Sequence, residues 1–184
     1  PEWSRAELAG RLCELSTAAS GAALTVAFHL VLDAQMEGEP VAWVSATDGT
    51  FFPPDAAAGG IDLEALVVLR VKDARAAGRA ADRLLRSGAF GLVVLDLGAG
   101  AVLPTPLQGR LVRLAGTHDA AVLCLTGKEP QQASLGSLVS LHARTRRRRR
   151  GTDRFACDLT VSKDKRRVPG WSHGEEYRGP DGFC

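Results

Sequence analysis

The sequence predicts an α/β fold with a mostly parallel sheet flanked by helices, followed by a C-terminal β-hairpin. Three observations lead to this class. Apolar runs of strand length alternate with longer segments of helical periodicity, which is typical of a parallel sheet with helical crossovers. Residues 92–96 form a run that is apolar at successive positions, as in strands covered on both faces. Residues 154–161 alternate between apolar and polar, which indicates a further strand with one exposed face.

Each element of the predicted core has a local signal. The capping-box pattern Ser4-Arg5-Ala6-Glu7 starts the first helix, and Gly38 and Gly88 end the second and third helices. Four segments have helical periodicity; they are residues 4–15, 22–36, 73–87 and 105–117. Four short apolar segments are predicted strands; they are residues 41–45, 66–71, 92–96 and 121–125. A loop begins at Asp48, and its Phe-Phe-Pro-Pro cluster either forms an exposed recognition loop or folds over the sheet edge.

The C-terminal part of the chain lacks this regular alternation. Residues 135–142 fit either a strand or a short helix, and residues 163–165 are expected to form a turn. The Gly-rich end over 170–184 is expected to be partly disordered or loosely packed. The predicted organisation is a core, an Arg-rich linker, and a hairpin with a loose tail; these cover residues 1–142, 143–151 and 152–184.

The charge is small overall but unevenly distributed. The net charge is +2, yet residues 1–142 hold 11 Lys and Arg against 15 Asp and Glu, and residues 143–184 hold 12 against 6. This asymmetry indicates a basic face or tail at the C-terminal end. No apolar run reaches the length of about 18 residues that a membrane span requires. The first residues carry no signal-peptide pattern, so a cytoplasmic protein is expected.

The cysteines and histidines are scattered. The cysteines show no paired spacing and are predicted to be free core thiols; they are Cys13, Cys124, Cys157 and Cys184. The four histidines are isolated from one another and from the cysteines in sequence. No metal site is therefore expected.

Several segments carry a resemblance to a known family. They are the order of the strands, the small-residue turn at 16–21, the stretch Arg86-Ser87-Gly88-Ala89-Phe90 before 92–96, and the stretch Gly60-Ile61-Asp62-Leu63-Glu64-Ala65-Leu66. Together they resemble the core of bacterial RecA recombinase over about residues 12–170. The resemblance implies a RecA-like core for the α/β part of the chain.

The matching phosphate loop differs from that of the family. RecA has the form G-P-E-S-S-G-K-T, and residues 16–23 are the corresponding stretch. Ser20 and Gly21 keep their positions, but Ala22 stands at the lysine position and Ala23 at the hydroxyl position. A phosphate loop needs the Lys to reach the β- and γ-phosphates and the hydroxyl to bind Mg²⁺. The resemblance therefore implies a vestigial nucleotide loop, with no ATPase activity and no cofactor expected.

Two further positions of the family's ATP site are informative. Asp96 matches the metal-linked Asp at the end of the third strand, whereas Thr47 stands where a carboxylate would activate water. Asp96 also has a purely structural interpretation, as a strand-end acid that caps a neighbouring helix or loop. A divergent ATPase stays open as an alternative, although Ala22 and Ala23 argue against it.

A basic segment near the C-terminus keeps a second family motif. Lys163-Asp164-Lys165-Arg166-Arg167-Val168-Pro169 has the spacing of the RecA stretch K-N-K-x-x-x-P, whose lysines reach the ATP of the adjacent subunit. The resemblance implies a RecA-facing surface; its residues are Lys163, Lys165, Arg166 and Arg167. The alternative is a solvated basic hairpin.

The end of the chain is similar to a particular group of RecA-like proteins. Residues 164–171 and 178–182 resemble the end of ImuA, a RecA-like family of bacterial SOS mutagenesis cassettes with a degenerate phosphate loop. That resemblance implies a role in SOS mutagenesis and translesion synthesis. The implied partners are RecA, an ImuB-type Y-family-like protein and an error-prone polymerase.

The arginine run is the sharpest local feature of the sequence. It comprises Arg144, Arg146, Arg147, Arg148, Arg149 and Arg150. The loops that match the DNA-binding loops of RecA, at 98–106 and 126–134, carry only one base, Lys128. The run is therefore a candidate for non-specific contact with DNA phosphates. Two alternatives are a flexible solvated linker and a contact with an acidic surface of a protein partner.

Overall fold

The computed structural model describes residues 2–18, 22–47, 51–129, 131–151 and 154–178. Within these ranges the helices are α1 (Arg5–Leu8), α2 (Ala23–Met36), α3 (Pro53–Ala58), α4 (Ala74–Arg86) and α5 (Thr105–His118). The strands are β1 (Arg11–Thr17), β2 (Val41–Ser45), β3 (Leu66–Arg70), β4 (Leu92–Ala99), β5 (Ala121–Gly127), β6 (Leu141–Arg149), β7 (Arg154–Asp164) and β8 (Ser172–Arg178).

These strands form a single sheet in the order β3-β2-β4-β5-β1-β6-β7-β8. The first six strands pair in parallel, and β7 runs antiparallel to both β6 and β8. Parallel strands need crossover connections, and helices α2 to α5 provide those from β1 to β5 in chain order, whereas no helix lies between β5 and β6 in the described residues. The predicted α/β class with a C-terminal hairpin is confirmed.

A hydrophobic core lies on each face of the sheet. On one face, α2 and α3 cover Trp43, which is fully buried and whose ring centroid lies 5.3 Å from those of Phe28 and Phe51. On the other face, α4 and α5 pack on Leu95 and its neighbours. Because β4 is covered on both faces, its first four residues, at positions 92–95, are all apolar.

Most predicted core elements are confirmed to within a few residues. Helices α2, α4 and α5 and strands β2 to β5 lie where periodicity placed them. Gly38 and Gly88 follow α2 and α4 with φ values of 77° and 68°, a left-handed conformation that favours glycine. Local signals were therefore sufficient for the central part of the chain.

The predicted helix over 4–15 is wrong beyond its first turn. Helix α1 ends at Leu8, Gly10 turns the chain with φ 69°, and β1 begins at Arg11. Leu12 and Leu15 belong to the cores on opposite faces of the sheet. A central strand covered on both faces has apolar residues at uneven spacing, and these imitated a helical stripe. Of the turn expected at 16–21, Ser16 and Thr17 instead end β1, and residues 19–21 lie outside the described ranges.

The segment expected to begin as a loop at Asp48 contains a short helix. Residues 53–58 form α3, and residues 48–50 lie outside the described ranges. Phe51 is buried against Trp43, whereas Phe52 is 55% exposed. Phe51 is therefore buried in the fold, as one interpretation of the cluster expected, and Phe52 is exposed, as the other expected.

The expected Arg-rich linker over 143–151 is for the most part a strand. Strand β6 pairs in parallel with β1, from Cys13 opposite Leu141 to Thr17 opposite Thr145. The whole of β6 pairs antiparallel with β7, with a register shift between His142 and Ala143, and this pairing continues the sheet. Arginine has no preference against an extended strand whose partners supply the backbone hydrogen bonds, so the charge run did not indicate a linker.

The remaining C-terminal predictions need two further corrections. Residues 172–178 form β8 rather than part of a loose tail, and residues 179–184 lie outside the described ranges. Lys163 and Asp164 are the last residues of β7, so the bend begins at Lys165, two residues later than the turn expected at 163–165. Residues 131–140 form neither a strand nor a helix, and only 141–142 of the ambiguous segment join β6.

Three of the cysteines are buried free thiols, as predicted. Burial raises the pKa of Cys13 to about 12 and that of Cys157 to about 11, and it raises the pKa of Cys124 as well. Cys184 lies outside the described ranges. No helix in the described part of the chain combines the length and apolar character needed to cross a bilayer.

Candidate functional site

The carboxyl ends of the parallel strands meet at one edge of the sheet, where the vestigial nucleotide loop was predicted. Ala22 is the N-cap of α2 and makes no side-chain capping hydrogen bond. Ala22 and Ala23 are 3% and 5% exposed and belong to the core beneath α2. Ser20 and Gly21 lie outside the described ranges. The described start of α2 therefore has two buried methyl groups at the positions that the resemblance assigns to the lysine and the hydroxyl.

Asp96 lies at the same edge, inside β4. Its Oδ2 atom accepts hydrogen bonds from Ser45 Oγ at 3.3 Å and from Thr47 Oγ1 at 3.1 Å, so the ends of β2 and β4 are joined through this carboxylate. Asp96 is 4% exposed. No group of three or more metal-ligating side chains occurs among the described residues. At the ends of β2 and β4, this edge thus holds a carboxylate that is bound by two hydroxyls.

The arginine run is divided between the two faces of β6. Side chains alternate along a strand, so Arg144, Arg146 and Arg148 share one face, and Arg147 and Arg149 share the other. The guanidinium carbon of Arg147 lies 5.2 Å from the centroid of the Phe155 ring. Arg149 donates to the carbonyl oxygen of Gly151 at 2.8 Å. The run is thus not one continuous basic surface.

On the first of these faces, two arginines line a shallow groove. Its volume is about 520 Å³, and its lining residues are Arg146, Arg148, Asp158, Thr160, Ser172, His173 and Gly174. Arg148 forms an ion pair with Asp158, and the hydrogen bond from Arg148 holds the pKa of the Asp158 carboxyl below its usual range. Arg150 approaches Glu176 at 3.9 Å. The groove is polar and its positive charge is partly compensated.

The third arginine on this face and the two predicted lysines bind the loop that precedes β6. Arg144 donates to the carbonyl oxygens of Glu129 at 3.0 Å and Gln132 at 2.8 Å. Lys163 Nζ donates to Gly136 O at 3.2 Å, and Lys165 Nζ donates to Ser137 O at 2.6 Å. Burial, together with Lys165 nearby, lowers the pKa of Lys163. These cations thus donate hydrogen bonds to backbone carbonyl groups in the segment that precedes β6.

Arg166 and Arg167 connect the same bend to the N-terminal segment. Arg166 Nη2 donates to Ala9 O at 3.0 Å, and Arg167 makes two hydrogen bonds to the Glu7 carboxylate, at 3.1 and 2.6 Å. The four predicted RecA-facing residues therefore lie near one another along the bend. Their side chains contact the rest of this chain.

Beside this bend lies a buried ion pair that sequence reasoning missed. Arg11 is 1% exposed, and its Nη2 atom contacts Asp164 Oδ1 at 2.5 Å. Asp164 also accepts a hydrogen bond from Trp171 Nε1 at 3.2 Å. Burial alone would raise the pKa of Asp164, but hydrogen bonds from the Arg166 amide, Arg11 and Trp171 outweigh it and lower that pKa. The pair joins β1 to the end of β7.

Sequence reasoning also missed a polar cluster in the middle of the sheet. Glu14 is fully buried and accepts hydrogen bonds from Thr126 Oγ1 at 2.8 Å and the Leu135 amide at 2.7 Å, with Lys128 Nζ at 2.7 Å. His142 is 3% exposed and contacts Ser16 Oγ at 2.8 Å through Nε2. The only sequence signal was a Glu inside an otherwise apolar run. The cluster satisfies buried polar groups between β1, β5 and β6.

Comparison with known proteins identifies the family of the core. The RecA N-terminal domain family matches residues 7–124. The protein named Protein RecA of Fusobacterium nucleatum subsp. nucleatum is 33% identical over 102 residues, which are 55% of this chain and 27% of that protein. Protein RecA of Nocardioides sp. is 36% identical over 103 residues, which are 55% of this chain and 29% of that protein.

The chain thus spans under a third of the length of these relatives. The family match itself runs from the end of α1 into β5 and includes the strand edge that holds Ala22, Ala23 and Asp96. Because it covers more than half of the chain, the protein belongs to the RecA N-terminal domain family.

Proposed function

We propose that this protein is a non-catalytic RecA-like regulator of SOS mutagenesis and translesion synthesis, which binds RecA in the bacterial cytoplasm and inhibits or modulates its filament. The observation that carries the proposal is the start of α2. Ala22 and Ala23 occupy the positions of the phosphate-binding Lys and the Mg²⁺-binding hydroxyl, and both methyl groups are buried in the core. Neither position supplies a polar side-chain atom for a nucleotide.

The other acidic and hydroxyl groups of this edge support the same conclusion. Phosphoryl transfer depends on charge stabilisation by a Lys and Mg²⁺ and on a residue that positions the attacking water. Asp96 is bound by the hydroxyls of Ser45 and Thr47, and Thr47 stands where the family has its water-activating carboxylate. Alanines at the lysine and hydroxyl positions and a threonine at the carboxylate position do not meet these requirements, so ATP hydrolysis is not expected.

The proposed contact with RecA uses the bend after β7. Lys163 and Lys165 keep the spacing of the family's intersubunit lysines and donate to neutral carbonyl groups in this chain. Hydrogen bonds between an ammonium group and an anionic phosphate are stronger than those to a neutral carbonyl. The nucleotide of an adjoining RecA subunit would therefore compete well for both lysines. The similarity to ImuA adds an ImuB-type protein and an error-prone polymerase as further proposed partners.

The proposal is tested by titrating the protein into RecA that is hydrolysing ATP on single-stranded DNA. We expect the RecA ATPase rate to fall and the Lys163→Ala/Lys165→Ala variant to lose most of this effect. The matched control is Lys72→Ala/Arg154→Ala, which removes two exposed cations elsewhere and should inhibit like the wild type. An unchanged RecA rate at excess protein would contradict the filament role.

A DNA-binding scaffold is the second candidate, favoured by one observation. Arg146 and Arg148 line the groove over β6 to β8 together with the hydroxyls of Thr160 and Ser172, a combination suited to phosphate contacts. Replacing Arg146 to Arg150 with serine should then weaken DNA binding at low salt. Unchanged binding would exclude a DNA contact through this run.

A further inference from the structure

Helix α4 carries a second group of arginines, which lies far from the run in sequence. Arg75, Arg79, Arg83 and Arg86 are separated by four, four and three residues, and all four are exposed. At about 100° per residue these spacings place them within a sector about 80° wide. The opposite side of the helix is buried against the sheet through Ala77, Ala81 and Leu85. One face of α4 is therefore a line of guanidinium groups.

Helix α5 extends this line into a surface. Its exposed basic residues are Arg110 and Arg113, and Arg110 Nε lies 3.5 Å from Asp82 Oδ1 of α4. The two helices approach closely because Gly78 has no side chain, since a Cβ there would lie 2.5 Å from Leu107 Cδ2. We call this the α4–α5 basic surface; its residues are Arg75, Arg79, Arg83, Arg86, Arg110 and Arg113.

The charge of this surface is mostly uncompensated. Asp82 is its one acidic neighbour within the two helices; it is bound by Arg86 Nε at 3.0 Å, and its side chain is only 12% exposed. Among the described residues, Arg75, Arg79, Arg83 and Arg113 have no ion-pair partner. Like charges four residues apart destabilise a helix slightly, so this arrangement does not serve the stability of α4.

The surface chemistry distinguishes between possible ligands. A protein partner is normally held by a buried apolar or aromatic anchor, and the α4–α5 basic surface exposes no large apolar side chain. It also has no aromatic ring on which unpaired bases would stack. What it offers is guanidinium groups, whose forked donors match phosphate oxygens. The complementary ligand is therefore a polyanion that contacts this surface only through its phosphate groups.

We propose that the α4–α5 basic surface binds the phosphate backbone of duplex DNA without sequence preference. The line from Arg75 to Arg86 is about 16 Å long at the helical rise of 1.5 Å per residue. Duplex DNA carries one phosphate charge per about 1.7 Å of its axis, so several phosphates lie within reach of the six arginines. This site is separate from the bend after β7, and the inference does not depend on RecA binding.

The test compares two triple variants by fluorescence anisotropy on a labelled duplex over a range of salt concentrations. Arg75→Gln/Arg79→Gln/Arg83→Gln removes three charges from the α4–α5 basic surface. Arg146→Gln/Arg148→Gln/Arg149→Gln removes the same charge from the arginine run. Removing three phosphate contacts should reduce the slope of log affinity against log salt by about 2.7, and should weaken binding at least roughly tenfold at low salt. The two surfaces are alternative DNA sites, so the run variant should keep a slope close to that of the wild type. Loss of slope in the run variant alone would place the DNA contact in the groove over β6 to β8 and would overturn this proposal.

A charge-preserving variant, Arg75→Lys/Arg79→Lys/Arg83→Lys, separates lost contacts from a disturbed helix. It should keep the wild-type slope, because the number of cations is unchanged, while losing affinity with the forked donors. Three further results would overturn the proposal: an equal loss of slope in both glutamine variants, no duplex binding by the wild type, or equally tight binding of poly-glutamate, which would indicate an acidic protein ligand. Circular dichroism of each variant verifies that the helices are intact.

Discussion

The two arginine-rich regions of this protein are similar in composition but differ in what their side chains contact. In β6 to β8, the cations bind carbonyl oxygens, carboxylates and one aromatic ring of the same chain. On α4 and α5, ion pairing within the described residues is confined to Asp82. The densest charge run in the sequence is therefore largely occupied by the fold, whereas a dispersed set of arginines forms the more available basic surface.

This difference follows from the periodicity of the two elements. Consecutive residues of a strand point to opposite faces, so a run of arginines in β6 is divided and each half meets different neighbours. Residues three or four apart in a helix share a face, so well-separated arginines in α4 are brought together. Changes in the hairpin strands should accordingly alter stability and pH dependence, and changes in α4 should alter binding and its salt dependence.

The largest expected effect concerns the buried ion pair at the end of β7. Asp164→Asn removes the nearer carboxylate of the buried Arg11 guanidinium and leaves only the longer contact with Glu7 Oε1 at 3.4 Å. Breaking this buried pair should lower the free energy of unfolding by about 3 kcal/mol, the lower end of the range for buried ion pairs. Asp158→Asn in the same strand breaks the more exposed pair with Arg148 and should cost under about 1 kcal/mol. Urea denaturation of both variants measures the difference. Similar losses for the two would mean that the Arg11 pair does not hold the hairpin strands.

An intermediate effect is expected from His142, which faces Glu14, Lys128, Arg144 and Lys163. Burial is the main reason that the pKa of His142 is lowered; Glu14 opposes it, and Arg144, Lys128 and Lys163 act in the same direction as burial. Because the unfolded chain takes up this proton first, stability should fall as the pH drops below about 6.5, by at most about 1.4 kcal/mol per pH unit.

The His142→Gln variant should lack this part of the pH dependence. Denaturation midpoints of the wild type and the variant, compared between about pH 7.5 and 5.5, isolate the contribution of His142 from those of the other histidines. Carboxylates whose pKa is lowered in the fold, such as Asp164, lose their stabilising effect only at still lower pH. Parallel profiles for the two proteins would show that His142 is not held neutral by the fold.

The smallest expected effect compares single arginines of the two regions. Arg147→Gln removes the cation above the Phe155 ring and should destabilise the protein by about 0.5–1 kcal/mol. Arg83→Gln, on the exposed face of α4, should change stability by less than about 0.5 kcal/mol. Thermal unfolding at low and high salt provides the comparison. A larger loss from Arg83→Gln would contradict the division between fold-bound and available arginines.

The predictable part of the fold was the part with ordinary periodicity. Helices α2, α4 and α5 and strands β2 to β5 were found because caps, glycines and apolar runs agreed with one another. Strand β1 was misassigned because its burial on both faces removed the alternation that marks a strand. The Leu12 and Leu15 side chains serve different cores, a relation that exists only once the sheet has formed.

The candidate sites show a similar limit. The alanines at 22 and 23 and the lysines at 163 and 165 were identified through the resemblance to two RecA motifs, the phosphate loop and the K-N-K-x-x-x-P stretch. Lys165 donates to Ser137 O, and Arg144 donates to two loop carbonyls. These hydrogen bonds depend on tertiary contacts that sequence spacing does not encode. The α4 arginines lie at helical spacing in the sequence, but only the structure shows that all four are exposed on one face.

The most direct test of the proposed function is isothermal titration calorimetry of Mg-ATP into the protein, with RecA measured under the same conditions as the positive control. A RecA-like regulator that lacks the lysine and hydroxyl at Ala22 and Ala23 should give no saturable heat, while RecA does. Saturable micromolar binding by this protein would contradict the account, because it would require a nucleotide site that functions without those two side chains.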